Sequence, residues 1–188
     1  WGTSWDLEVP LYFAPQGFTE TPSLKRSNAF DLVAEECHAV RRDVGLLDIT
    51  GFSRFEVTGP NAEAWLARVL AGRIPKPGKA ALAPMLSPEG RMKGDLTVFN
   101  WGDGRWWIMG SYYLRAWHMR WFSQYAETGV EVRDLGEEWA GFSLAGPKSK
   151  QVIEKLTDGN IGQLGFMGCG AFDIGLLRTR ISRLSVAG

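Results

Sequence analysis

The chain of 188 residues lacks an excess of either charge: 21 Lys and Arg balance 21 Asp and Glu. No stretch concentrates the basic residues, so the electrostatic footprint of a nucleic-acid binder is missing. Nine tryptophans are present, but without a basic groove to track a phosphate backbone they read as core or ligand-pocket material. Cysteine and histidine are scarce, two of each. Cys37 and Cys169 form no Cys-x-x-Cys pair and have no histidine pair near them, which argues against a zinc site and leaves one disulfide as the most the chain could form. This usage fits a reducing compartment, and the expected setting is cytoplasmic, or the mitochondrial matrix in a eukaryote. No apolar run approaches the roughly 18 residues of a membrane span, and no signal peptide opens the chain.

Two common catalytic loops are also missing. Gly72 to Gly78 followed by Lys79 resembles a phosphate-binding loop, but it contains two prolines and has Ala80 where a hydroxyl must hold magnesium. The Gly168-Cys169-Gly170 run lacks the third glycine of a dinucleotide fingerprint. Ser143 does not sit in a Gly-x-Ser-x-Gly elbow, and His38 and His118 both fall on predicted helices, where a structural role is the simpler reading.

What is present is ample core material, with 45% hydrophobic and 12% aromatic residues, enough for one large domain or two small ones. Residues 1–27 read as an extended N-terminal arm packed by Trp5, Leu11, Tyr12 and Phe13. Ser27 or Asn28 can cap a helix to about Asp43, with Phe30, Val33, Ala34, Cys37 and Val40 at helical spacing and Gly45 as its stop. Phe55-Glu-Val-Thr alternates like a half-buried strand. Gly59-Pro60 then leads into a helix with Pro60 at its first position and Trp65, Leu66, Val69 and Leu70 on its apolar face. Further strands are predicted over 105–109 and 130–132, and a helix with an aromatic face follows Ser111. Phe142-Ser-Leu-Ala-Gly-Pro repeats the strand, Gly-Pro, helix order, which suggests two related halves. Residues 159–175 read as a glycine-dense connection, and 176–186 as a last strand. The Trp at position 1 and the abrupt last strand suggest a piece of a longer polypeptide.

The stretch 83–99 reads as a strand, a Pro/Gly turn and a second strand opening on Asp95, at the edge of an apolar surface. A carboxylate placed there, partly desolvated, can accept a hydrogen bond or a proton from a nitrogen-containing ligand. Asp48, between Leu47 and Ile49, reads as a turn carboxylate that binds nearby backbone N–H groups.

Several ordered motifs carry a resemblance: Val40-Arg41 and Val44-Gly-Leu-Leu-Asp-Ile, Phe55-Glu-Val-Thr-Gly-Pro-Asn-Ala, Pro84-Met-Leu-Ser-Pro-Glu-Gly, Gly94-Asp-Leu-Thr-Val, and Phe142-Ser-Leu-Ala-Gly-Pro-Lys-Ser. Together they resemble the aminomethyltransferase family, the glycine-cleavage T-protein and its relatives, over about residues 28–188. The arm motif Glu8-Val-Pro-Leu-Tyr-Phe-Ala is most similar to the C-terminal folate-binding region of dimethylglycine and sarcosine dehydrogenases. The resemblance implies an α+β fold of two related halves of mixed strands and helices around a folate cleft, with residues 28–188 as the N-terminal portion of the folate-binding domain. It implies tetrahydrofolate as cofactor, and folate with a small N-methyl amine or its imine as reaction partners. FAD, if used, belongs to a flavin domain or subunit outside this chain, and neither nucleic acid nor a membrane is an expected partner.

The same resemblance makes Asp95 the catalytic acid and places Phe52, Leu82, Phe99 and Gly110 at cofactor-contacting positions. Gly94 stands where glycine-cleavage members carry a first acid, and Gly110 where they carry asparagine. Both departures favour an amine-dehydrogenase or demethylase branch over a true T-protein. A second carboxylate of the family would follow Gly188. The implied activity is tetrahydrofolate-dependent one-carbon transfer, with the 188 residues alone expected to be inactive. A non-catalytic folate-binding or docking module of a larger oxidoreductase is the competing reading.

Overall fold

The computed structural model describes residues 1–4, 7–136, 138–157 and 161–184. The chain divides into two compact units, one of residues 1–47 and 144–151, the other of residues 48–143 and 152–188.

In the first unit β1 (Gly2–Ser4) and β2 (Leu7–Val9) pair as an antiparallel hairpin. The expected packing of the arm holds only for Tyr12, half-buried and edge-on to Phe18 at 5.9 Å; Leu11 and Phe13 are exposed, and Trp5 lies outside the described residues. Helix α1 (Ala29–Arg42) forms where the periodicity places it. Asn28 precedes it but does not cap it. Its amide instead ties the arm, accepting from Thr21 N at 2.8 Å and donating to Thr19 O at 3.0 Å. Gly45 opens β3 (Gly45–Asp48) rather than capping the helix, and a side chain there would meet Val40 at 2.5 Å.

The second unit is built on β4 (Ser53–Thr58), helix α2 (Ala62–Val69), the hairpin β5 (Lys79–Leu86) and β6 (Met92–Asn100), β7 (Trp106–Gly110), helix α3 (Arg115–Gln124) and β8 (Glu131–Asp134). The chain passes through residues 144–151 of the first unit, which hold the end of β9 (Phe142–Ala145) and the start of α4 (Ser149–Leu156), and then adds β10 (Gly168–Ile174) and β11 (Leu177–Arg183). Seven strands make one antiparallel sheet in the order β11-β10-β5-β6-β7-β4-β8, and β3 pairs with β9 in a separate two-stranded sheet.

Three expectations are corrected here. The glycine-dense stretch contains a full strand, β10, because Gly168 and Gly170 keep extended backbone and pair with Arg183 and Ile181. Pro60 belongs to the turn before α2, whose first residue is Ala62. Asp95 is the fourth residue of β6 rather than its opening residue, since pairing with β5 already begins at Met92.

The repeated strand, Gly-Pro, helix unit is real in backbone geometry. Gly59 and Gly146 follow β4 and β9 with φ of 112° and 111°, a region that only glycine enters freely. Each also sits against backbone: a side chain at Gly59 would strike the Gly129 carbonyl, and one at Gly146 the Val40 carbonyl at 2.5 Å.

Strand alternation divides the sheet's side chains between two clusters. On one face Phe55, Val57, Ala83, Leu96, Val98 and Ile108 pack under α2 and α3, where Trp65, Leu66 and Phe122 are fully buried. Each such side chain contributes about 1.5–3 kcal/mol by leaving water. Edge-on contacts of Phe122 with Phe55 (5.2 Å) and Trp65 (5.8 Å) add directional packing.

His118 of α3 lies in this cluster at 1% exposure, with no hydrogen-bond partner for either ring nitrogen. It fills two glycine notches: a side chain at Gly94 would meet its Nε2 at 2.8 Å, and one at Gly110 its Cε1 at 3.2 Å. Burial holds the imidazole below its ordinary pKa. The unfolded chain therefore binds the proton more readily, and stability falls as pH drops through the unfolded value near 6.5. Thermal unfolding followed between pH 7.5 and 5.5 is expected to show a falling Tm in the parent. In His118→Leu that slope is expected to flatten, and an unchanged slope would place the titrating group elsewhere.

Candidate functional site

The face of the sheet opposite the helices is laid out by register. Leu82, Thr97, Met109 and Arg54 are paired in turn across β5, β6, β7 and β4 and so project to the same side. The row spans three strand spacings, about 14 Å. Ala80, Phe99, Trp107, Glu56 and Arg133 form the next row, continuing into β8. Pro84 and Asp95 pair on the other side of the Leu82 row.

These rows differ in cover. Phe99 and Trp107 are buried with Leu135 and Cys169, packed by Trp101, Met109, Trp139 and Met167. Phe99 stacks on Trp101 at 5.4 Å, Trp107 meets Trp139 edge-on at 4.8 Å, and the Arg180 guanidinium lies 4.8 Å over Trp101. The Cys169 thiol donates to Asn100 O at 3.3 Å, and burial pushes its pKa up to about 11, which favours the protonated thiol near neutral pH. Beyond this cluster the face opens: Leu82 is 67% exposed, Phe52 48%, and Asp95 is also exposed.

The structure therefore brings Leu82, Asp95 and Phe99 onto one face, from an exposed acid to a buried aromatic floor. Phe52 sits two residues before Arg54, in the turn that enters β4 at the same end as Leu82 and Met109. Gly110 is set apart. It pairs with Ser53 and faces the helix-covered cluster, where a side chain would meet Leu96 at 2.7 Å. Asp95 makes no ion pair or side-chain hydrogen bond with any described residue, so its carboxylate is open to solvent and to a ligand.

Sequence reasoning passed over the two charged residues of β4. Phe55-Glu-Val-Thr read as half-buried, yet both faces of β4 are covered, and Arg54 and Glu56 are only 3% and 8% exposed. Glu56 accepts from Trp107 Nε1 at 3.3 Å, Arg105 Nη1 at 3.4 Å and Arg133 Nη2 at 3.2 Å. Burial pushes its pKa up, but these donors outweigh burial and hold it below the ordinary glutamate value. Arg54 donates to three backbone carbonyls, of Thr50 and Phe52 through Nη1 (both 3.0 Å) and Ile49 through Nη2 (3.1 Å). The signal was present in the alternation itself, since Arg54 and Glu56, spaced i, i+2 and alternating with Phe55 and Val57, point to the face that carries Trp107. Asp48 behaves as expected of a turn carboxylate, accepting from Thr50 N at 2.7 Å.

The chain belongs to the GCVT N-terminal domain family, whose profile matches residues 1–188. It is 28% identical over 189 residues to the mitochondrial dimethylglycine dehydrogenase of Mus musculus, a match that covers 98% of this chain and 22% of that protein. The chain thus spans about a fifth of that relative's length. Among solved structures it is similar to the glycine cleavage system aminomethyltransferase T from Bartonella henselae (TM-score 0.67, 22% identity, 73% of this chain and 38% of that one). It is also similar to a chain of the heterotetrameric sarcosine oxidase from Corynebacterium sp. U-96 (TM-score 0.58, 18% identity, 86% of this chain and 82% of that one). At these identities the two structures establish the α+β fold.

Glu56→Gln keeps the shape and removes the charge that two half-exposed arginines share. It is expected to cost about 1–2 kcal/mol in urea unfolding at pH 7. Because the folded carboxyl holds its proton less tightly, the parent loses this contribution as pH falls below about 4.5, the ordinary value, and the variant does not. Equal stabilities at pH 7 would contradict this account of β4.

Proposed function

We propose that this chain is the folate-binding part of a tetrahydrofolate-dependent one-carbon transferase, of the kind joined to an amine dehydrogenase acting on an N-methyl amine. The observation that carries the reading is the uncovered end of the sheet face, where Leu82 and Asp95 stand exposed in adjoining rows, Phe52 is exposed in the turn that enters β4, and the face continues into the buried Phe99–Trp107 cluster. Family membership over residues 1–188 and the match to dimethylglycine dehydrogenase over 98% of the chain support it.

The residues present suit a reduced folate. A pterin is flat, with an edge of N–H donors, and the face offers apolar side chains for its ring and one carboxylate for that edge. Bound tetrahydrofolate supplies the nucleophilic nitrogens that accept a one-carbon unit. Leu82 and Phe52 would lie against the ring and exclude water, while Asp95 would accept a hydrogen bond or hold a proton at its carboxylate oxygen. Phe99, one row beyond Leu82 on the same face and covered by Trp101, would close that side of the site. Gly110, turned to the other face, would contribute by leaving room for His118 behind β6 rather than by touching the ligand.

A second reading has a specific observation behind it. A chain of similar extent, 82% covered, is found in the heterotetrameric sarcosine oxidase, so this fold also occurs as a subunit among others. In that reading the open face docks a neighbouring domain and no chemistry takes place on it.

Asp95→Asn in the full-length polypeptide separates the two. Folate-dependent transfer is expected to fall about a hundredfold, within the range for removing an acid–base group, while reduced folate still binds. Transfer that persists unchanged in the variant would remove Asp95 from the chemistry.

A further inference from the structure

The turn that carries Phe52 is fixed more firmly than an exposed turn requires. Asp48 Oδ1 takes the Thr50 amide at 2.7 Å, and Phe52 N–H closes the turn on Ile49 O at 3.1 Å. Thr50 Oγ1 accepts from Gly141 N at 3.0 Å, and Ile49 N donates to Gly141 O at 2.8 Å. Beneath it lies the Arg54 guanidinium, which takes the carbonyls of Ile49, Thr50 and Phe52 at 3.0–3.1 Å. Gly141 makes room for this arrangement, because a side chain there would collide with Arg54 Nη2.

Arg54 is costly where it stands. It is 3% exposed, and among the described residues no carboxylate lies within ion-pair distance of it. Asp48 is the nearby charge that favours the cation, but its own oxygen is engaged with the Thr50 amide. A buried guanidinium met only by carbonyl dipoles loses hydration that an apolar side chain of similar size would not lose. What the planar fork gives in return is geometry. Its donors diverge at fixed angles and hold three carbonyls of one turn at once, whereas the three rotatable donors of an ammonium meet at a single nitrogen on a flexible stem and fix no such geometry. One of those carbonyls belongs to Phe52, the exposed aromatic at the open end of the face.

We propose that Arg54 is a positioning residue: by gripping the 49–52 turn from below, it fixes the direction in which the Phe52 ring stands over the ligand face. This rests on reading Phe52 as a ring contact for a reduced folate. Arg54 itself touches no ligand, since it is 3% exposed and three of its five N–H donors are held by the turn.

The test uses the full-length polypeptide, with 5-formyltetrahydrofolate as the calorimetric probe and amide hydrogen exchange as a second readout that needs no ligand. Arg54→Lys keeps the charge and stem but loses the fork, and Phe52→Ala removes the ring. Each single variant is expected to weaken binding about tenfold, the scale of one lost aromatic stacking contact. The double variant is expected to bind no more weakly than Phe52→Ala, because Arg54 acts only through that ring. Exchange in residues 49–53 is expected to quicken about tenfold in Arg54→Lys, with β5 and β6 unchanged.

Multiplying losses, about a hundredfold in the double variant, would overturn the proposal, since Arg54 would then act independently of Phe52. Unchanged exchange in the turn would also overturn it. If the parent does not bind the probe, the folate reading fails. Faster turn exchange in Arg54→Lys would then still support the positioning of Phe52, for a different ligand.

Discussion

Strand β6 sends its side chains alternately into two clusters, and the two sides are covered to different extents. Leu96 and Val98 point to the helices, where Trp65, Leu66 and Phe122 shut out water along the length of the sheet. Phe99 points the other way and is covered by Trp101, Trp107 and Leu135, while toward the hairpin turn Thr97 is half-buried and Asp95 exposed. Because the side-chain period of a strand is two, a register slip of one residue between β5 and β6 would put Asp95 into the core and Leu96 into water. The burial of Leu96, Val98 and their partners therefore fixes where Asp95 appears, and the exposed acid depends on the apolar contacts behind it.

The same division explains why β4 carries charge in a place without solvent. Phe55 and Val57 belong to the helix side, so Arg54 and Glu56 must face the second cluster. There each is satisfied differently. Glu56 is shared by two arginines and an indole, and braces the sheet where β4, β7 and β8 meet. Arg54 is one strand position nearer the open end and has only carbonyls for company. Two buried charges on one strand thus separate into one that stabilises the floor and one that shapes the rim.

Much of this was legible in the sequence, and the misses have physical causes. Helix α1 and the apolar face of α2 announced themselves through 3.6-residue periodicity, and the β5–β6 hairpin through two apolar strands around Ser-Pro-Glu-Gly. The repeated Gly-Pro could be read because only glycine takes the φ near 110° that both turns require. Strand β10 was hidden because glycine carries no side chain to show alternation, although its backbone pairs like any other. Arg54 was hidden because a charge next to Phe55 suggests solvent, and nothing local reveals that the turn before it supplies three acceptors. The resemblance alone placed Gly110 among the cofactor contacts, and its facing depends on β4–β7 register, which a single strand does not disclose. The family, by contrast, was carried by short ordered motifs, and it extends over the whole chain.

On the function proposed above, the open end of the sheet face, and not the helix-covered side, receives the pterin of a reduced folate. Amide exchange of the full-length polypeptide, compared with and without saturating 5-formyltetrahydrofolate, tests it most directly. The account predicts new protection in residues 49–53, 82–86 and 94–98, with α2 and α3 unchanged. Protection confined to α2, α3 or the first unit, with the 82–98 hairpin exchanging as before, would contradict it.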